Sequence, residues 1–228
     1  MDTQIILDSL LKSGKELYEK GKTLAEERLN IPDDTEKRDA MLSGAGKGAL
    51  AAGAMAVLLG TSAGRKLTGA SLKLGSLAAI GGVAYKAYQD WQSKSGQTSI
   101  AADKPITELS DNDLDNRSKQ LLRAMIAAAK IDGHIDDKEK AILLEQVSKM
   151  NLHNDASAFI AEELKKDVNV TEIASGVDSG TAAAEIYLLS RLVINVDDDK
   201  ERQYLSQLAS ALALSPDLVA SLDKQTSA

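Results

Sequence analysis

The chain has 228 residues, of which 43% are hydrophobic, only 3% aromatic, and none cysteine. A core drawn from Leu, Ile, Val, Ala and Met favours helix over strand, and the missing thiols exclude disulfides and thiolate metal sites. The net charge of −7 is uneven: residues 1–104 carry 14 basic and 12 acidic side chains, residues 105–228 carry 13 and 22, so the C-terminal half repels phosphate backbones and nucleic acid is not an expected partner.

Residues 1–39 read as an amphipathic helix followed by a linker. Leu10, Leu17 and Leu24 recur every seven positions, with Ile6 and Leu11 beside them, a stripe suited to a partner helix or a membrane surface. Gly14 and Gly21 lower its helicity, and "NIPDDTEKRDA" breaks it at Pro32. Asp2 and Asp8 stand where a secretory signal would carry basic residues, so no signal peptide is expected.

Residues 40–92 are Gly/Ala-rich and are expected to associate with a membrane. No acidic residue occurs from Ala40 to Gln89, and residues 48–64 and 74–85 are uncharged. Gly44, Gly48, Ala52, Ala56, Gly60 and Gly64 fall at every fourth place, a smooth ridge close to the small-xxx-small pattern of paired membrane helices. The expected form is a helical hairpin turning near Arg65-Lys66, with self-association through the ridge. The uncharged runs are short for spanning, so full spanning and shallow insertion both stay open. The alternative is a soluble hairpin packed in a bundle, against which each glycine weighs about 1 kcal/mol relative to Ala.

Residues 93–105, rich in Ser, Gly and Thr and ending at Pro105, read as a flexible linker. Residues 106–228 read as a helical domain. Ser110 and Asp113 form a capping pair, ahead of a stripe of Leu114, Leu121, Leu122, Met125, Ile126 and Ala129. Ile142, Leu143, Val147 and Met150 make a second stripe, and Ala156, Phe159, Ile160 and Leu164 a third. Ser179 caps a fourth helix through Ile186, Leu189 and Val193, a fifth runs from about Lys200 to Leu212, and Pro216 starts the last. No alternating strand pattern is present, so the fold class is all-α.

An internal repeat relates 131–152 to 194–214. With one deletion, Asp136, Lys138, Glu139, Leu143 and Leu152 match Asp198, Lys200, Glu201, Leu205 and Leu214. Each copy is a helix end, an acidic turn and an amphipathic helix. The first turn, "KIDGHIDDKE", carries half of a calcium-loop signature. With Gly133 at loop position 6, Ala128 and Lys130 occupy ligand positions 1 and 3, which excludes an EF-hand. Capping explains Asp136-x-x-Glu139 and Asp198-x-x-Glu201, and Gly133 suits a helix C-terminus. It leaves a surplus of acid at Asp132, Asp136 and Asp137 and at Asp197, Asp198 and Asp199. A hard cation, Ca²⁺, Mg²⁺ or Mn²⁺, would relieve that crowding if the two turns met. His134 could join those carboxylates, but a lone exposed histidine reads first as an ordinary surface residue, and His153 reads likewise.

At these residues the chain resembles a known family. "AAAKIDGHIDDKEKAIL" resembles the first acidic turn of TerB-like domains, named for the tellurite-resistance protein TerB. "AAEIYLLSRLVINVDDDKERQYLSQLASALALSPDLV" (183–219) resembles the bacterial inner-membrane family typified by YebE. The likeness covers about 105–222, on Asp132-Gly133 with Glu139, Tyr187 with Ser190, and Asp197 with Glu201, Tyr204 and Leu205. It implies a TerB-like helical bundle, bacterial inner-membrane association with the C-terminal domain cytoplasmic, and divalent-metal ligands at Asp132, Asp136, Glu139, Asp197, Asp199 and Glu201. Asn195 departs from the first repeat's Asp132 and weakens the second site.

No enzyme is expected. "GAGKGAL" (44–50) lacks the spacing of a phosphate loop, no G-x-S-x-G elbow or H-x-E motif occurs, and no organic cofactor is implied. The expectation is a non-enzymatic membrane-associated protein binding divalent metal or an unidentified protein partner, in envelope or metal stress. The alternative is a purely structural, self-associating adaptor whose acidic turns are only caps.

Overall fold

The computed structural model describes residues 4, 7, 77–95, 103–131, 154–194, 196 and 199–226. Besides the helical Gln4 and Leu7, these residues form seven α-helices: α1 Leu77–Ser95, α2 Asp111–Ile131, α3 Asn154–Lys165, α4 Val170–Ser175, α5 Gly180–Val193, α6 Asp199–Ala211 and α7 Pro216–Thr226. A 3-10 turn, Ile106–Glu108, leads into α2. No strand occurs among the described residues, and the fold is all-α.

Helix α5 is the axis. Its sequence, GTAAAEIYLLSRLV, is dense in strong helix formers. The Ser179 hydroxyl accepts from Ala182 N–H and closes the first turn. Every residue from Thr181 to Ser190 is buried, as expected of a helix packed on all sides. Helices α1 and α2 make its most extensive contacts, and α7 and α6 complete the surround.

The outer helices bury one stripe each. In α6, Glu201, Tyr204, Leu205, Leu208 and Ala209 face inward at the 3.6-residue period, and in α7 Leu218 and Leu222 do. The α6–α7 turn is a Schellman motif: Leu214 N–H bonds Ala209 C=O at 3.0 Å, and Ala213 N–H bonds Ser210 C=O at 3.1 Å. Ala213 takes the left-handed position, with φ 52°.

The helical unit begins earlier than the sequence-based boundary at 106. Helix α1 lies in the stretch expected to associate with a membrane, yet its Leu77, Ile80, Gly81, Ala84 and Ala87 are buried and it packs on α5 and α7. Gly81 permits a close approach: a Cβ there would lie 2.9 Å from Ile106 Cγ2 and 3.3 Å from Glu185 Oε1. The linker expectation for 93–105 also changes in part. Residues 93–95 end α1, and Asp103 accepts from Thr181 N–H at 3.0 Å. The described residues hold no helix long and apolar enough to cross a membrane. The ridge residues Gly44, Gly48, Ala52, Ala56, Gly60 and Gly64 lie outside the described residues. Of the stretch expected to form an N-terminal amphipathic helix, Gln4 and Leu7 are described, and Leu7 is fully buried in the same hydrophobic core.

Candidate functional site

Of the six carboxylates expected at a metal, Asp132, Asp136, Glu139 and Asp197 lie outside the described residues. The other two open α6. Asp199 is almost wholly exposed and pairs with Arg202 one turn on, at 2.6 Å. Glu201 is 5% exposed and turns inward. Positions two apart on a helix point to opposite sides, so these two carboxylates do not converge. Among the described residues, no group of three His, Cys, Asp or Glu side chains is placed to hold a metal ion.

The residues that carry the family resemblance in α5 and α6 are core residues. Tyr187, Ser190, Glu201, Tyr204 and Leu205 are all buried. Tyr187 donates its hydroxyl to Asp223 Oδ1 at 3.0 Å, fastening α5 to α7. Burial first, and then Asp223, pushes this phenol well above its usual range. The Tyr204 phenol is pushed up to about 12, chiefly by burial, with the Ser190 hydroxyl as its polar neighbour.

Sequence reasoning missed the most deeply buried charges. Arg117 of α2 and Glu185 of α5 meet at 2.7 Å with both side chains at most 2% exposed. The second Glu185 oxygen accepts from Ile106 N–H at 2.8 Å. The other arm of Arg117 reaches Asp178 at 2.6 Å and the Ser179 hydroxyl at 3.3 Å. Burial pushes the Glu185 carboxyl up, while Arg117 and the Ile106 N–H pull against it. A signal was present: Glu185 is the only charged residue from 179 to 190. Both of its oxygens are committed within the fold, so it holds α2, α5 and the 3-10 turn together rather than facing a substrate.

A second cluster joins α2, α3 and α4. Arg123 contacts Glu163 at 3.0 Å and lies over the Phe159 ring at 5.5 Å. Lys166 reaches Glu162 at 3.1 Å, Glu163 at 3.2 Å and Glu172 at 3.1 Å. These carboxylates, Glu162 foremost, raise the Lys166 ammonium above its usual range. Burial pushes Glu163 upward, but Arg123 and Lys166 outweigh it and the carboxyl sits below its usual value. Lys130 donates to the carbonyls of Glu163 and Lys166, the cationic cap that a helix C-terminus favours. An open cleft of about 790 Å³ runs beside this cluster, between Val170, Lys200 and Tyr204.

A third feature lies at the N-terminus of α5. Tyr88 and Trp91 of α1 stand with ring centroids 5.7 Å apart and planes inclined at 35°. With Asp178 and the turn 211–215 they line a cavity of about 490 Å³. Tyr88 packs directly over Gly180, leaving no room for a Cβ there.

Comparison with known proteins adds lineage without an activity. A family described as "protein of unknown function (DUF533)" matches residues 44–226. An uncharacterized protein encoded in the ampR 5′ region of Yersinia enterocolitica is 30% identical over 105 residues, which make up 46% of this chain and 76% of that protein. No solved structure matches.

Proposed function

The chain belongs to the DUF533 family, and from that premise we propose that it is a non-enzymatic, membrane-associated binding protein built around a TerB-like helical domain. The observation that carries the non-enzymatic reading is the fate of Glu185. A buried carboxylate is the usual candidate for acid–base work, and here Arg117 and the Ile106 N–H occupy both of its oxygens.

The finer part of the proposal follows the YebE-like resemblance: inner-membrane association through the Gly/Ala-rich stretch and a cytoplasmic helical domain. A divalent cation, Ca²⁺, Mg²⁺ or Mn²⁺, would be held by the acidic turns at Asp132, Asp136, Glu139, Asp197, Asp199 and Glu201. Since Asp199 and Glu201 point to opposite sides of α6, a cation there would use one of them with ligands from elsewhere. The second reading, a purely structural, self-associating membrane adaptor without a metal site, is favoured by that divergence.

Two measurements test the proposal on the full chain. Calcium and manganese titrations by calorimetry, with melting curves, should give saturable heat and a raised Tm if metal is bound. Absence of both leaves the adaptor. Carbonate washing of membrane fractions should leave an inserted protein in the pellet, and complete release contradicts insertion.

A further inference from the structure

We infer that the cavity between α1 and the N-terminus of α5 is a binding site for an alkylammonium group. The walls supply what an organic cation needs. Tyr88 and Trp91 are both half-buried and both line the cavity, presenting two aromatic rings in a tilted pair. Aromatic faces attract ammonium groups, most strongly when these are partly desolvated, and paired rings are the recurrent device for quaternary ammonium. The volume of about 490 Å³ lies within the range of small-molecule sites.

The charge is also of the right sign. Asp178 lines the cavity with its side chain 61% exposed, although one oxygen contacts Arg117. Behind it lie the buried Glu185 and, toward the Tyr88 hydroxyl, Asp103. Three carboxylates lie at this end of α5 against the Arg117 guanidinium and the exposed Lys104 beside Asp103, a balance of one negative charge. The rest of the lining is mixed: Val177, Ala183, Leu212 and Leu218 suit methyl or methylene groups, and the hydroxyls of Ser179 and Ser215 stand among them. An anion is disfavoured by the carboxylates, and a neutral apolar guest would make no use of Asp178. The Tyr88 ring is held in place within the lining, since it is seated on Gly180.

Trp91 is the only tryptophan in the chain, so its fluorescence reports on this cavity alone. Tetramethylammonium chloride titrated into the full-length protein, against sodium chloride at equal ionic strength, should give a saturable change in Trp91 emission. The neutral counterpart tert-butanol should give none. Asp178→Asn, in which Arg117 keeps Glu185, should weaken binding roughly tenfold, the scale of losing a partly desolvated charge partner. Trp91→Leu, followed by calorimetry, should abolish it. No saturable response, an equal response to tert-butanol, or unchanged binding in either folded variant overturns the proposal. Competition by phosphatidylethanolamine-containing vesicles but not by pure phosphatidylglycerol vesicles would assign the ammonium to a lipid headgroup. Lack of competition would assign it to a free amine.

Discussion

At position 213 the backbone turns left-handed, with φ 52° and an alanine at the C′ place of the Schellman turn. A Cβ there carries a steric cost that glycine avoids. Ala213→Gly should therefore stabilise the protein by about 0.5–1 kcal/mol, net of glycine's greater freedom when unfolded, and raise Tm by a few degrees in a thermal melt. Removing Glu185 has the opposite sign. Glu185→Ala leaves the Arg117 guanidinium buried beside the outlying Asp178 alone, and losing one member of a buried pair costs about 3–5 kcal/mol. Glu185→Leu combined with Arg117→Met removes both charges and should recover most of that loss in denaturant titrations. Glu163 sets a pH limb. Its folded pKa lies below the ordinary 4.5, so its contribution is present above 4.5 and is lost as pH falls through the folded value. Melts across that range should show Glu163→Gln with a flatter acid limb than the parent.

The elements separate by how much of their shape is local. Ser179 and Pro216 mark the starts of α5 and α7 as their chemistry predicts, and α6, Asp199–Ala211, falls within one residue of its expected limits. The stripe through Ile160 and Leu164 forms α3. The short α4, capped by Asn169, lacks a full apolar period and was not legible. Helix α1 is ambiguous in the sequence for a physical reason. A helix built from Gly, Ala and Leu reads the same whether its smooth face meets lipid or another helix, and only the tertiary contacts with α5 decide. A fragment starting at residue 106 would uncover the faces of α5 and α7 on which α1 packs. Burial of Leu77 and Ile80 alone is worth roughly 1.5–3 kcal/mol each. That fragment should melt well below one starting at residue 77. Equal melting of the two would show that α1 contributes nothing to the bundle.

For the molecule as a whole, the pattern of apolar residues was readable and the pattern of long-range polar pairing was not. All-α character follows from composition and periodicity, because both are local properties. The candidate sites are different. The Arg117–Glu185 pair joins positions 68 apart, and nothing in the spacing of either helix names the other. The Tyr88–Trp91–Asp178 cavity depends on α1 lying against α5, which a boundary at residue 106 rules out in advance. The acidic turns were conspicuous in the sequence, yet the two described carboxylates point apart, since residues two apart on a helix share no face.

The bonds Ile106 N–H to Glu185 and Thr181 N–H to Asp103 span 79 and 78 residues. During synthesis, residues 77–106 exist well before the helix that receives them. At about 5–20 residues per second the gap is roughly 4–16 s, long beside the microseconds in which a helix forms. Throughout that interval α1 has no α5 to lie against, and the Gly/Ala-rich stretch just upstream is synthesised earlier still. The order of emergence gives any surface that competes for α1, a lipid bilayer included, the first opportunity to engage it.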